Sequence, residues 1–250
     1  MRLRLFFSLL ICLLLPVCAQ AAIINTLQGF KDQEPGWTGN FTGSFSTTGG
    51  NTEQLTLEAA GQAQLLGDRS RWRFLSGARR ESSHGVETAK SVMGHVRHNQ
   101  TLSPLVHTLA FLQIQQNPFQ RLESRFLLGG GFRFDLFRRQ NWSLSWGLAH
   151  MVEKERIEDE AGSDTDHRVS SFLMVRWRPQ ENVQLDVIAF AQPRWAEFAD
   201  LRAIVTAGMR VKISDAFSLR LQVDYQHDAN PPANVDEADW EFTTGLSFEL

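Results

Sequence analysis

Cysteine, tyrosine and any surplus of positive charge are all scarce in this chain. Its 250 residues hold two cysteines and one tyrosine. Both cysteines, Cys12 and Cys18, fall near the start. A chain that loses its leader therefore has no thiol left for disulfide or nucleophilic chemistry. Lys+Arg number 25 against 28 Asp+Glu, a formal charge of −3, which argues against a nucleic-acid binder. After the leader no run approaches the roughly 20 apolar residues of a membrane-spanning helix. Hydrophobic content of 42% and mean hydropathy of −0.25 are too polar for a helical membrane protein. They do not exclude a membrane β-barrel, which hides its apolar residues at every second position and so averages out as soluble.

What is present begins with a leader. Met1 to Arg4 is a short basic head, Leu5 to Leu15 is apolar, and Pro16 to Ala21 supplies small residues for cleavage after Ala19 or Ala21. This reads as a secretory signal peptide over 1–21, because the apolar run is too short for an anchor. Val17 and Pro16 fit poorly with lipid modification of Cys18, which reads as filling. Residues 22–35 then read as a periplasmic segment and 36–250 as the folded domain.

The domain has period two. Trp37, Gly39, Phe41, Gly43 and Phe45 alternate with Thr38, Asn40, Thr42, Ser44 and Ser46. Leu201, Ala203, Val205, Ala207, Met209 and Val211 oppose Arg202, Thr206, Gly208, Arg210 and Lys212; Phe217 to Tyr225 alternates likewise. Such alternation predicts strands with one apolar and one polar environment. Segments near 36–47, 53–66, 70–80, 88–100, 104–115, 121–136, 141–153, 167–178, 182–194, 200–213, 216–227 and 238–250 carry it. The fold class is all-β: an antiparallel transmembrane β-barrel of about 12 strands, with 10 or 14 as alternatives.

Short connections near 66–69, 138–140, 179–181 and 214–215 alternate with longer ones at 81–87, 117–120, 154–166, 194–199 and 228–237. Outer-membrane barrels have short periplasmic turns and long outer loops, which puts both termini on the periplasmic side. Trp37, Trp72, Trp142 and Trp177 then fall at periplasmic strand ends, and Trp195, Tyr225 and Trp240 at outer ends. That is the distribution of two aromatic girdles. A soluble all-β core would place its aromatics mid-strand.

The last residues alternate Thr244, Leu246, Phe248 and Leu250 with Thr243, Gly245, Ser247 and Glu249. Such a strand needs its edge covered, and closure onto the first strand covers it. Gly245, Phe248 and Leu250 resemble the terminal assembly signal of outer-membrane barrels, although that signal usually ends in an aromatic residue. Gly36-Trp37-Thr38-Gly39, Gly43 and Thr48-Gly49-Gly50-Asn51-Thr52 resemble the opening of the salt-induced outer-membrane proteins, a bacterial family defined by a domain of unknown function. The likeness continues around Gly129-Gly130-Gly131 and from Asp236 to the end. It implies outer-membrane location and no assigned activity.

Charges on the polar faces include Arg125, Arg133, Arg176, Arg210, Arg220, Glu123, Asp135, Asp224 and Glu241. In a barrel they face the lumen, where rings of charge set ion preference or a paired network fills the bore. The acidic stretch 154–166 lacks the ligand spacing of a calcium loop and reads as a solvated outer loop. His150 and Ser171 share lipid-facing parity at similar height, as a barrel phospholipase would need. No His-x-Ser motif accompanies them, and an interfacial histidine is the simpler reading. His95 and His98 fall on opposite faces of one strand and cannot share a metal.

The sequence thus favours a narrow outer-membrane pore for small, anionic solutes. The alternatives are a non-conducting structural or adhesive envelope barrel with a filled lumen and, more remotely, a lipid hydrolase. No enzyme activity, cofactor, metal or nucleic acid is expected. The expected partners are outer-membrane lipids and lipopolysaccharide, together with the barrel assembly machinery.

Overall fold

The computed structural model describes residues 35–50, 53–158, 162–214, 217–232 and 235–248. The leader and the terminal residue Leu250 lie outside them, as do the side chains of Asn40, Ser247 and Phe248. Among the described residues, twelve strands form one antiparallel sheet in chain order. They are β1 (Gly36–Thr48), β2 (Gln54–Leu66), β3 (Ser70–Ser83), β4 (Val86–Thr101), β5 (Val106–Asn117) and β6 (Leu122–Arg138), followed by β7 (Trp142–Ile157), β8 (Asp164–Gln180), β9 (Val183–Arg194), β10 (Glu197–Lys212), β11 (Phe217–Asp228) and β12 (Ala238–Phe248). A single 3-10 turn, Pro118–Gln120, joins β5 to β6.

The alternation places apolar side chains on the convex face, where Phe126, Leu128, Phe132 and Leu136 of β6 are all exposed. On the concave face of the same strand, Arg125, Leu127 and Asp135 are buried. The sheet curls far enough for non-neighbouring strands to meet across its interior. Arg97 of β4 stacks over the Phe172 ring of β8, 5.3 Å from its centroid. Arg202 of β10 reaches Glu155 of β7 at 3.0 Å.

Three expectations change. Among the described residues β1 and β12 do not pair, so the sheet is open at the seam where closure was expected. The connection expected to be long at 81–87 is a tight hairpin. His84 (φ 49°) and Gly85 (φ 76°) both take left-handed conformations, which lets β3 and β4 zip to Ser83 and Val86. The β9–β10 connection is also short, because β10 starts at Glu197. A bulge there absorbs the irregular register between Glu197 and Leu201.

Candidate functional site

The concave face is layered along the strands. The tier nearest the β7–β8 connection is ionic. Glu153 of β7, 2% exposed, accepts from Arg168 of β8 at 2.6 Å and Arg202 of β10 at 2.5 Å and forms an ion pair with Arg125 of β6 at 2.5 Å. Glu155 forms an ion pair with Arg125 at 2.8 Å, and Asp200 with Arg168 at 2.9 Å. Arg168 also donates to the backbone oxygens of Gln192 and Asp200. Asp228 and Arg194 extend the network through Arg202 and Asp200. A buried guanidinium is tolerable only when acids pair with it, as they do with Arg125, Arg168 and Arg202 here. The cations and anions of this tier match, so it presents little net field to a passing ion.

The middle tier is apolar. Leu109, Ala149, Phe172, Ile188, Phe190 and Ile204 form one buried cluster, with Phe111 and Met174 packed against it. Phe172 and Phe190 lie 5.4 Å apart in a tilted aromatic pair. Glycines make the room: Gly129 faces the Phe111 ring and Gly147 the Phe172 ring so closely that neither has space for a Cβ. A cavity of about 30 Å³ lies between this tier and the ionic one, lined by Leu109, Phe172 and Phe190 on one side and Arg125 and Glu153 on the other. That admits one or two waters.

The third tier, at the end formed by the short turns, is basic. Asp135 of β6, 4% exposed, is the centre of its hydrogen bonds. It accepts from Ser145 Oγ at 2.9 Å, Arg138 at 3.0 Å and Arg133 Nη2 at 3.4 Å, forms an ion pair with Arg133 Nε at 3.1 Å, and its Oδ2 lies 3.2 Å from His107 Nε2. Arg73 donates to Gln64. These groups line a cavity of about 580 Å³ whose mouth is the β2–β3 and β6–β7 turns. Eight arginines line it against two aspartates, Asp68 and Asp135.

The charges expected to share one lumen are therefore dispersed. Arg125 belongs to the ionic tier and Arg133 and Asp135 to the basic one. Arg176 pairs with Asp186 at 2.6 Å. Arg210 stands opposite Arg220 in the β10–β11 register. Asp224 accepts from Thr206 at 2.7 Å and from Gln222 at 2.5 Å. Glu241 is exposed on β12 and accepts from Thr243. Glu123 is a correction: a register shift between Leu122 and Ser124 turns it out of the interior, where it meets Arg156 at 3.6 Å on the surface.

The aromatic residues at strand ends lie on the convex face or in a turn. Trp142 and Trp177 stack across β7 and β8, with centroids 5.0 Å apart. Trp72 stacks on His98 at 4.3 Å, and Trp37 on Phe74 at 5.9 Å. At the other end Tyr225 pairs with Trp240 in register, and Trp195 lies 6.2 Å from Phe198. Of the terminal signal, Gly245 pairs with Arg220; Leu250 and the Phe248 side chain lie outside the described residues. The Ser171–His150 pairing does not form. Ser171 accepts from Trp146 Nε1 at 3.0 Å, while His150 stacks on His167. His95 points inward to Gln113 at 2.9 Å.

Sequence reasoning missed Glu153, Arg168 and Asp200, the centre of the ionic tier. It also missed the apolar layer. The available signal was Ile204, an apolar residue at polar-face parity on β10, repeated at Leu109, Phe172, Ile188 and Phe190.

A curled antiparallel sheet with an apolar outside and a polar, partly filled inside defines a protein of the outer-membrane β-barrel fold. The NanC porin is similar in fold at 9% identity, with a TM-score of 0.50 over 86% of this chain and 98% of that one. The translocator domain of autotransporter NalP from Neisseria meningitidis aligns with a TM-score of 0.47 at 9% identity, over 88% of this chain and 90% of that one. No curated protein matches the chain in sequence. The chain belongs to DUF481, a family of proteins of unknown function, which matches it over residues 42–250.

Proposed function

We propose that the chain closes into a twelve-stranded barrel in the bacterial outer membrane, both termini periplasmic, whose bore is packed shut at mid-height. On this reading it is a structural or adhesive envelope protein rather than an open channel. The carrying observation is the apolar tier: Leu109, Phe172, Ile188, Phe190 and Ile204 meet on the concave face in one buried cluster. The charge-matched tier beside it supports the same reading, because paired charges obstruct passage and cancel selectivity. The exposed convex face, with Phe126, Leu128 and Phe132, fits a hydrocarbon environment. The partners on this reading are outer-membrane lipids, lipopolysaccharide and the barrel assembly machinery. The lipid-hydrolase alternative loses its proposed pair, since Ser171 accepts from Trp146 instead of facing His150.

A second reading, a narrow conduit, rests on one observation. The polar faces of β1 and β12, including Thr42, Ser44, Glu241 and Thr243, lie outside the packed cluster and remain exposed. Closure of the seam would line an off-centre passage with them. Cell fractionation tests the location that both readings share. The protein should be recovered in the outer membrane and migrate differently on gels before and after heating. Recovery in the soluble periplasm would contradict both.

A further inference from the structure

The basic tier has no role in a barrel that merely fills its own bore. Arg168 and Arg125 have two acids each, whereas the cavity at the short-turn end gathers eight arginines, one of them paired with Asp186, around two aspartates. The guanidinium groups are held rather than loose. Asp135 fixes Arg133 and Arg138, Gln64 fixes Arg73, and Arg139 lies over the Phe137 ring at 5.8 Å. Asp135 is the acid that meets both Arg133 and Arg138 within the cavity. At about 580 Å³ the cavity falls in the range of about 300–1,000 Å³ typical of small-molecule sites.

We propose that this vestibule is a binding site for a soluble, compact polyanion bearing two or more phosphate or carboxylate groups. Arginine is the side chain suited to this work, since its planar fork meets both oxyanions bidentately and keeps its charge at any physiological pH. Arg71, Arg73, Arg133, Asp135 and Arg176 of the lining project from the concave face and Arg69 and Arg139 from the turns, so the ligand arrives from the aqueous space at the turns. Met174 forms part of the lining and also packs against the apolar cluster, so the site ends where that layer begins. The ligand is therefore retained and not passed on. The vestibule lies within a continuous run of strands remote from the β1–β12 seam, so the proposal stands or falls separately from barrel closure and conductance.

Calorimetry with inorganic tripolyphosphate, on mature protein folded in detergent, tests this. Saturable one-site binding is expected in low-salt buffer, weakening as ionic strength rises. Arg71→Gln combined with Arg133→Gln should weaken it by about tenfold or more, since each change removes a charge-assisted contact to the anion. Because Arg133 is tied to Asp135, that variant risks misfolding. Arg69→Gln with Arg139→Gln, at the exposed turns, should weaken binding severalfold while keeping the native strand content. Arg80→Gln with Arg156→Gln, exposed at the opposite end, should leave affinity unchanged. Absence of saturable binding by the folded protein overturns the proposal, and so does equal weakening by the turn pair and the opposite-end pair.

Discussion

Gly147 on β7 lies directly opposite Phe172 on β8, and the Phe172 ring rests against the bare Gly147 backbone where no Cβ would fit. The pair shows how the interior is filled. An aromatic ring on the concave face lies flat because its cross-strand partner has no side chain, and Phe190 then packs on the ring's other neighbours.

Gly147→Ala should therefore displace the Phe172 ring and destabilise the protein by about 1–3 kcal/mol, the usual cost of overpacking. Gly208→Ala is the control. A Cβ there would meet only the backbone oxygens of Asp186 and Leu221 at 4.0 Å, so its effect should stay within about 0.5 kcal/mol. Urea unfolding in detergent, followed by the loss of the compact gel form, reads both.

Glu153→Gln removes the charge that Arg125, Arg168 and Arg202 share. Leaving buried cations undercompensated should lower stability by about 3–5 kcal/mol. The matched surface change, Glu58→Gln opposite Arg79, should cost less than about 1 kcal/mol, because that pair is solvent-screened. Comparable losses in the two variants would show that the tier is wet.

Much of the fold was legible because period two survives in nearly every strand. The Trp142–Trp177 and Tyr225–Trp240 pairs sit where parity and strand ends put them. The interior was less legible. Parity says that a residue faces inward, but not how high it stands or which distant strand it meets. Arg125 and Arg133 share a face of β6, yet one joins the ionic tier and the other the vestibule. Glu123 escaped because a bulge resets parity, and no local pattern marks that bulge. The apolar layer was hidden because Leu109 and Phe111 on β5, Ile188 and Phe190 on β9 and Ile204 on β10 interrupt the alternation strand by strand, and only curling of the sheet gathers them.

Leu128→Arg places a charge mid-strand on the convex face of β6, where Leu128 is 51% exposed. In a membrane this should cost about 2–4 kcal/mol, seen as reduced folding into lipid vesicles. Thr243→Arg, on the concave side of β12, should fold with a penalty within about 0.5 kcal/mol. Equal yields would mean that the convex face does not meet hydrocarbon.

The central claim is that the apolar tier seals the bore, and planar-bilayer recording of the folded, mature protein tests it most directly. The wild type should be silent, and Phe172→Ala combined with Phe190→Ala should produce discrete conductance steps by emptying the middle layer. Steady conductance from the wild type, unchanged by those two substitutions, would contradict the sealed bore and favour a conduit along the β1–β12 side.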